Sequence, residues 1–176
     1  GIRILSIGRL VEQKNFSLAI KTAQYLKDNF HQFNFKWFII GKGPLLNALK
    51  VEAKKEKVDD CIEFIGTRDN PYPYIKTADL IVQTSIYEGK SIVLDEAKIL
   101  GKLIVSTDYP TVYDTIQNNV TGIISPNSAI ELGRSIIKIL TDTDMAKKIL
   151  LNLKKYENGN VSELKKYLYV LFSEEI

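Results

Sequence analysis

Six short runs rich in β-branched and aromatic residues alternate with longer segments of helical period, and this alternation constrains the fold most. Several runs are apolar almost without interruption, as strands buried on both faces are. The pattern predicts an α/β fold, a doubly wound, parallel six-stranded sheet (Rossmann-like) with helices on both faces. The predicted strands lie at 2–7, 35–40, 61–65, 80–83, 103–106 and 121–124.

The segments between these runs carry the helical signals that such a fold needs. Asn15 is the predicted N-cap of the first helix. Pro44 suits the first turn of a second helix. Further helices are predicted over 91–100, 127–140, 145–155 and, after a polar break, 160–173. The first helix has the clearest apolar stripe, made of Phe16, Ala19, Ile20, Ala23 and Leu26. The whole chain, 1–176, is predicted to be a single domain.

Composition excludes several classes of protein. Cys61 is the only cysteine and cannot form an intrachain disulfide, which fits a reducing compartment. His31 is the only histidine, so no Cys/His metal site is expected. A net charge of +3 is too small to indicate nucleic acid as a partner. With no long apolar run and no signal peptide, a cytoplasmic location is expected. Because the chain begins with Gly1, without an initiator Met, and enters a predicted strand at once, we expect either a trimmed chain or a domain of a longer protein.

Cations follow the first predicted strand, where ligands of parallel sheets bind, beyond the carboxyl ends of the strands. Gly8 and Arg9 come directly after this strand, and Lys14 follows before the first helix. A guanidinium fork and a compact ammonium group suit a phosphate or diphosphate. The alternative is that both cations are ordinary surface charges.

Two glycine-containing turns follow the second and third strands. Gly41-Lys42-Gly43-Pro44 resembles a dinucleotide fingerprint, but it lacks the third glycine and follows the wrong strand. We interpret it as a tight turn into a helix. Gly66, Thr67 and Arg68 follow the third strand, where a glycine lets a flat ligand approach the backbone. A plain turn would explain these three residues equally well.

The stretch after the fourth strand carries the strongest signal. Gly89, Lys90, Ser91 and Ile92 form a corner that begins a helix, whose unpaired amides could bind phosphate. Ser91 could cap this helix. Glu96 lies in the second turn of the helix, and side chains there tilt back toward the corner. A carboxylate is a poor phosphate ligand but a good acceptor for the vicinal hydroxyls of a ribose.

Glu88 lies on the loop before the same corner, where a second hydroxylated group could be bound. Both glutamates could instead be surface residues that stabilise the helix dipole. A glycosidase pair of nucleophile and acid is a further alternative. We disfavour it, because a helix-borne carboxylate beside a phosphate site is better used to bind a diol.

The residues that follow the predicted strands occur in the same order in one known family. The chain resembles, over 2–140, the C-terminal, nucleotide-sugar-binding domain of a GT-B fold glycosyltransferase of the "glycosyl transferases group 1" kind. Its most specific part is the pair of glutamates eight residues apart. The resemblance is carried by Gly8-Arg9-Leu10, Lys14, Gly41-Lys42-Gly43, Gly66, Ala78-Asp79, Ser85, Glu88-Gly89 and Glu96-Ala97.

The resemblance implies a role for each matching position. Catalytic roles fall to Glu88 against the donor sugar and to Arg9 and Lys14 on the diphosphate. Glu96 would hold the ribose. The other donor-binding positions are Gly8, Gly66, Thr67, Arg68, Gly89, Lys90, Ser91 and Ile92. The family transfers a sugar with retention of configuration from a nucleotide diphosphate sugar, here favoured as a UDP-sugar, and usually needs neither metal nor other cofactor.

The resemblance also implies partners. The acceptor, a glycan or a lipid-linked glycan, would bind to an N-terminal domain that is not in these residues. Glu88-Gly89-Lys90-Ser91 departs from the common Glu-Gly-Phe-Gly and is associated with bacterial capsule and exopolysaccharide transferases. Lysines near the C-terminus could touch anionic lipid on the inner face of the cell membrane, although a solvated helix face explains them as well. A non-catalytic doubly wound module and a sugar-nucleotide epimerase of GT-B architecture are the alternatives.

Overall fold

The structure, a computed structural model, describes residues 1–32 and 34–155. The predicted terminal helix over 160–173 lies outside the described residues. Six strands form one sheet in the order β3-β2-β1-β4-β5-β6, and all neighbouring pairs are parallel. The strands are β1 (Ile2–Ile7), β2 (Phe35–Ile40), β3 (Ile62–Gly66), β4 (Leu80–Gln83), β5 (Leu103–Thr107) and β6 (Ile123–Ser125).

Helices connect these strands and cover both faces of the sheet. Short 3-10 turns lie at Glu12–Lys14 and Pro110–Asp114. A further helical segment covers residues 143–155. The other helices are α1 (Phe16–Asn29), α2 (Leu46–Lys55), α3 (Tyr72–Thr77), α4 (Ile92–Ile99) and α5 (Ala129–Thr141).

Alternating side chains of the strands enter two separate cores, which confirms the predicted doubly wound sheet. Ile4 of β1 packs with α1, α2 and α5, whereas its neighbour Leu5 packs with α3 and α4. On β4, Leu80 belongs to the first core and Ile81 to the second. Burial on both faces explains why these runs are nearly all apolar rather than alternating in polarity.

One local prediction is wrong, and one helix was not predicted. Asn15 precedes α1, but with φ at 48° its side chain makes no capping hydrogen bond. Its backbone N–H instead donates to Glu12, which closes the 3-10 turn before the helix. The helix α3 was not predicted. Pro71 is its N-cap residue and Pro73 lies in its first turn, where proline is tolerated because the first N–H groups have no intrahelical partner.

The order of the strands reverses between β1 and β4. Chain segments leave this point in opposite directions, so a crevice opens beyond the carboxyl ends of the two strands, and doubly wound sheets bind ligands there. The loop after β1 holds Arg9 and Lys14, and the loop after β4 holds Glu88. The topology therefore brings the two strongest sequence signals to one place.

Candidate functional site

The two loops at the crevice are joined by an ion pair. Lys14 Nζ donates to Glu88 Oε1, and the two side chains are only 20% and 9% exposed. Ser85 Oγ donates to the same carboxylate oxygen at 2.6 Å, and Gln13 Nε2 lies 3.4 Å from Oε2. A carboxylate with these donors is held in one orientation. Lys14 has three ammonium hydrogens, so it can still donate to an anion.

Gln13 fastens the β4 loop to the β1 loop. Its backbone carbonyl accepts from Ile86 N–H at 2.9 Å, and its Nε2 donates to the carbonyl of Tyr87 at 2.9 Å. On the other side of the loop, Thr111 Oγ1 donates to the backbone carbonyl of Glu88 at 2.7 Å. Residues from three strand ends thus fix the position of Glu88.

Gly8 and Arg9 complete the β1 side of the crevice. A Cβ on Gly8 would lie 3.2 Å from Cδ and Cε of Lys14, so glycine lets the lysine stem cross the end of the strand. Arg9 is exposed, and among the described residues its guanidinium has no hydrogen bond or ion pair. Its five donors are therefore available to an anionic ligand.

The start of α4 is fixed by a buried chain of hydrogen bonds. Ser91 Oγ accepts from Leu94 N–H at 3.4 Å, which confirms the predicted cap, and donates to Gln83 Oε1 at 2.6 Å. Gln83 Nε2 donates to Tyr109 OH at 2.6 Å. Burial raises the pKa of Tyr109 to about 12, so this hydroxyl stays neutral. The amides of the first turn of α4 are thereby held in place at the crevice.

The other residues of the corner are open to solvent. Gly89 would meet nothing within 4 Å if it carried a Cβ. Lys90 is 80% exposed and lies 3.6 Å from Asp95, a contact too exposed to restrain it strongly. Ile92 is 68% exposed. A phosphate could therefore approach the start of α4 without displacing packed side chains.

Glu96 has a partner that the sequence did not indicate. Tyr72 OH donates to Glu96 Oε1 at 3.1 Å, which joins α3 to α4. The hydrogen bond to Glu96 and the negative charge of the Glu96 carboxylate raise the pKa of Tyr72. The Glu96 side chain is half-buried, so one part of it remains open.

The ends of β1, β2 and β3 are packed together through glycines. Gly41 N–H donates to the carbonyl of Gly66 at 2.9 Å, and a Cβ on Gly41 would lie 1.8 Å from the carbonyl oxygen of Gly8. A Cβ on Gly43 would lie 2.3 Å from the carbonyl oxygen of Leu10. The Gly-Lys-Gly sequence therefore serves close packing of backbone segments, which agrees with the interpretation of a tight turn.

The third strand ends in a residue that requires a glycine-like backbone. Gly66 has φ of 72°, which favours glycine. Space does not require it, because the nearest atom to a Cβ there would be Arg68 Nη1 at 4.0 Å. Arg68 turns back on its own segment: Nε donates to Tyr74 OH at 2.7 Å, and its guanidinium carbon lies 5.5 Å from the centre of that ring. Thr67 is exposed, and its carbonyl accepts from Arg68 Nη1 at 3.0 Å.

A cavity of about 370 Å³ lies apart from this corner, between the sheet and α3. Its floor is apolar and includes Leu5, Phe38 and Ile65. Arg3, Glu63 and Arg68 also line it, but Lys14, Glu88 and Glu96 do not, so the cavity lacks the pair of glutamates and the lysine beside them. We therefore place the site at the strand ends and not in this cavity.

Metal ligands and membrane spans are both missing from the described residues. Over residues 1–32 and 34–155, no three His, Cys, Asp or Glu side chains are grouped so that they could hold a metal ion. In the same part of the chain, no helix combines the length and apolar composition that crossing a bilayer requires. Metal independence of the reaction stays a prediction.

The structure brings some of the predicted site residues into contact and leaves others apart. Lys14 meets Glu88 and lies against Gly8. Glu96 contacts none of these and is bound to Tyr72. The polar Gln83 within an otherwise apolar strand was the one visible signal of a further site residue, since a buried amide needs partners. The site residues that were not singled out from the sequence are Gln13, Tyr72, Gln83, Tyr109 and Thr111; the last two lie in a polar, turn-rich stretch after the fifth strand that the sequence places at the same cleft.

Known proteins similar to this chain include several that are named as glycosyltransferases. The amylovoran biosynthesis glycosyltransferase AmsK of Erwinia amylovora is 30% identical over 133 residues, which cover 71% of this chain and 32% of AmsK. An N-acetylgalactosaminyltransferase of Campylobacter jejuni, which by name acts on a diphospho-undecaprenol-linked sugar, is 32% identical over 106 residues, 60% of this chain and 28% of that protein. The chain thus spans about a third of these relatives or less.

Solved structures share the fold. HepE of Anabaena, crystallised with UDP, superposes with a TM-score of 0.81 at 18% identity, over 98% of this chain and 49% of HepE. The pneumococcal O-GlcNAc transferase GtfA, in complex with UDP and GlcNAc, gives a TM-score of 0.81 at 16% identity, over 96% of this chain and 35% of GtfA. The family model "Glycosyl transferases group 1" matches residues 1–156, and this chain therefore belongs to the glycosyl transferases group 1 family, with a Rossmann-like α/β fold that matches the GT-B glycosyltransferases.

Proposed function

We propose that this chain is the nucleotide-sugar-binding part of a retaining glycosyltransferase that uses a UDP-sugar. The observation that carries the proposal is the arrangement around the start of α4. Glu88 precedes it beside Lys14, and the half-buried side chain of Glu96 follows it. A site with cations and free amides between two carboxylates suits a ligand with a charged centre and hydroxylated ends.

The proposed reaction breaks the bond between the anomeric carbon and the diphosphate oxygen, and the electron pair leaves with the diphosphate. The acceptor hydroxyl oxygen bonds to the same carbon, on the face that the diphosphate leaves, and its proton passes to the departing diphosphate oxygen. Negative charge grows on the leaving group in this step. Arg9, Lys14 and the amides of α4 are the groups placed to stabilise that charge.

Glu88 is assigned to the donor sugar. Its carboxylate is fixed by Lys14, Ser85 and Gln13, so it can accept sugar hydroxyls without reorganising. As an anion it would also favour the positive charge that develops on the sugar ring in the transition state. The backbone of Gly66 and Thr67 is assigned to the nucleotide base. Lys90, in place of the common aromatic residue, is available to the diphosphate or to an acidic sugar.

The acceptor is proposed to be a glycan or a lipid-linked glycan in the synthesis of a bacterial capsule, an exopolysaccharide or another cell-surface polysaccharide. The names of the relatives from Erwinia amylovora and Campylobacter jejuni support this class. The acceptor would be bound by a domain outside these residues, so the chain alone should bind the nucleotide and catalyse little transfer. A cytoplasmic location, with peripheral contact to the membrane, fits an acceptor of this kind.

Calorimetry with UDP, GDP and FMN tests the proposal, carried out with EDTA in the buffer. We expect measurable binding of UDP, weaker binding of GDP and none of FMN. Binding of FMN instead would favour a non-catalytic flavodoxin-like module. Conversion of a UDP-sugar to its epimer by the chain would favour the epimerase alternative, and no binding of any nucleotide would refute the nucleotide site.

Glu96→Gln should lower the affinity for UDP by about tenfold or more, because hydrogen bonds to a charged acceptor are stronger than those to an amide. The measurement is the dissociation constant by calorimetry. Asp95→Asn is the matched control, since Asp95 is the neighbouring carboxylate on α4 and points to Lys90. Unchanged affinity in Glu96→Gln would refute the ribose role of Glu96.

A further inference from the structure

We propose that Tyr72 is a positioning residue that orients the Glu96 carboxylate for the nucleotide ribose. The proposal deepens the function argued above and rests on it. Its basis is one contact between two elements: the Tyr72 hydroxyl, from the first turn of α3, donates to Glu96 Oε1 at 3.1 Å. Glu96 stands in the second turn of α4, and within the described part of the chain Tyr72 is the only side chain that binds its carboxylate.

The backbone around Tyr72 is held rigidly enough for its hydroxyl to act as a fixed donor. Pro71 and Pro73 flank it, and each proline ring fixes its own φ. The Tyr72 N–H donates to Asn70 Oδ1 at 3.1 Å, which anchors the start of α3. Tyrosine has only two rotatable side-chain bonds, so little entropy is lost when its hydroxyl is placed.

The carboxylate has room for the tyrosine and a ribose at the same time. An ionised carboxylate offers about four lone-pair sites on two oxygens. Tyr72 takes one site on Oε1, so three sites remain for the two ribose hydroxyls. The tyrosine therefore need not leave when the nucleotide binds. It removes freedom from a flexible glutamate side chain before binding, and such preorganisation increases affinity.

Because the Tyr72 ring is partly exposed, substitution by phenylalanine should remove only the hydrogen bond to Glu96. Tyr72 is 46% exposed and meets Glu96 through its hydroxyl, so removal of that oxygen leaves the ring and the fold in place. The effect should then be confined to ligands that use the carboxylate. The affinity for a ligand without ribose hydroxyls should not change. Comparing ligands with and without ribose hydroxyls therefore distinguishes the positioning of Glu96 from a general disturbance of the start of α4.

The test compares UDP with 2′,3′-dideoxy-UDP by calorimetry on the 176-residue chain. Four proteins are needed: the native chain, Tyr72→Phe, Glu96→Gln and Tyr25→Phe. Tyr25 lies on α1, on the opposite face of the sheet, and bonds to Arg134, so its substitution is a matched control for loss of a tyrosine hydroxyl. We expect Tyr72→Phe to weaken UDP binding by about three- to tenfold and to leave binding of the dideoxy analogue unchanged. Tyr25→Phe should change neither.

Each other result has a defined meaning. If Glu96→Gln abolishes the preference for UDP over the dideoxy analogue and Tyr72→Phe does not reduce it, the positioning role is wrong while the proposed function stands. Tighter UDP binding in Tyr72→Phe would show that the tyrosine competes with the ribose, and equal weakening of both ligands would show a merely structural role; either overturns the inference. If the native chain has no preference for UDP, both the ribose site and this inference fail.

Discussion

Arg9→Ala and Lys14→Ala should each reduce the rate of sugar transfer by about 10²–10³-fold, the typical cost of removing one donor that stabilises a developing anion. The effect should appear in kcat measured on the full-length enzyme that carries this chain, because the charge on the leaving diphosphate grows in the transition state. Lys27→Ala is the matched control: Lys27 also forms an ion pair, with Asp60, but at the amino ends of the strands and exposed to solvent.

The two substitutions should differ in their effect on folding. Arg9 is exposed and has no side-chain partner in the described part of the chain, so Arg9→Ala should not change the free energy of unfolding. Lys14→Ala leaves the Glu88 side chain, which is only 9% exposed, without its cation. This substitution should therefore lower the free energy of unfolding in addition to the rate of transfer. Native rates in both variants would remove the electrostatic part of the proposed mechanism.

Gly41→Ala should lower the free energy of unfolding by about 3 kcal/mol or more, because overpacking against backbone has no cheap relief. The new Cβ would stand 1.8 Å from the Gly8 carbonyl oxygen, a distance that forces β1 and β2 apart at their carboxyl ends. Denaturant unfolding followed by circular dichroism measures this loss. Because the same strand ends carry Gly8 and Arg9, UDP affinity should fall with stability.

Gly101→Ala separates crowding from backbone strain. Gly101 has φ of 62°, but a Cβ there would meet nothing within 4 Å. Its substitution should cost only about 1 kcal/mol, the ordinary penalty of a left-handed backbone for alanine. If Gly41→Ala and Gly101→Ala cost the same, the close packing of the strand ends does not contribute to stability as the structure indicates.

The sheet could be predicted because burial on both faces leaves a direct mark on the sequence. A strand such as β4 must be apolar at consecutive positions, and short apolar runs that recur between helical segments are typical of buried parallel strands. α3 was not predicted, because its sequence carries no comparable apolar pattern. It is short, it contains Pro73 and follows Pro71, and Ile75 is its only buried residue.

The candidate site was predictable in its charged residues and in the Ser91 cap. Charge type and position after a strand indicated Lys14, Glu88 and Glu96, since the topology of a parallel sheet gathers these loops at one edge. The hydrogen bonds that orient them depend on contacts between elements far apart in sequence. Gln13 and Tyr87 are 74 residues apart, and no local pattern connects them. The same holds for Tyr72 and Glu96, 24 residues apart on different helices.

The central claim is that a nucleoside diphosphate binds at the start of α4, between the two glutamates. A crystal structure of the chain with UDP tests it most directly. We expect diphosphate oxygens at hydrogen-bonding distance, about 3 Å, from the amides of the first turn of α4 and from Arg9 or Lys14, with the ribose hydroxyls on Glu96. UDP bound in the cavity between the sheet and α3, or bound at the strand ends with Glu96 uncontacted, would contradict it.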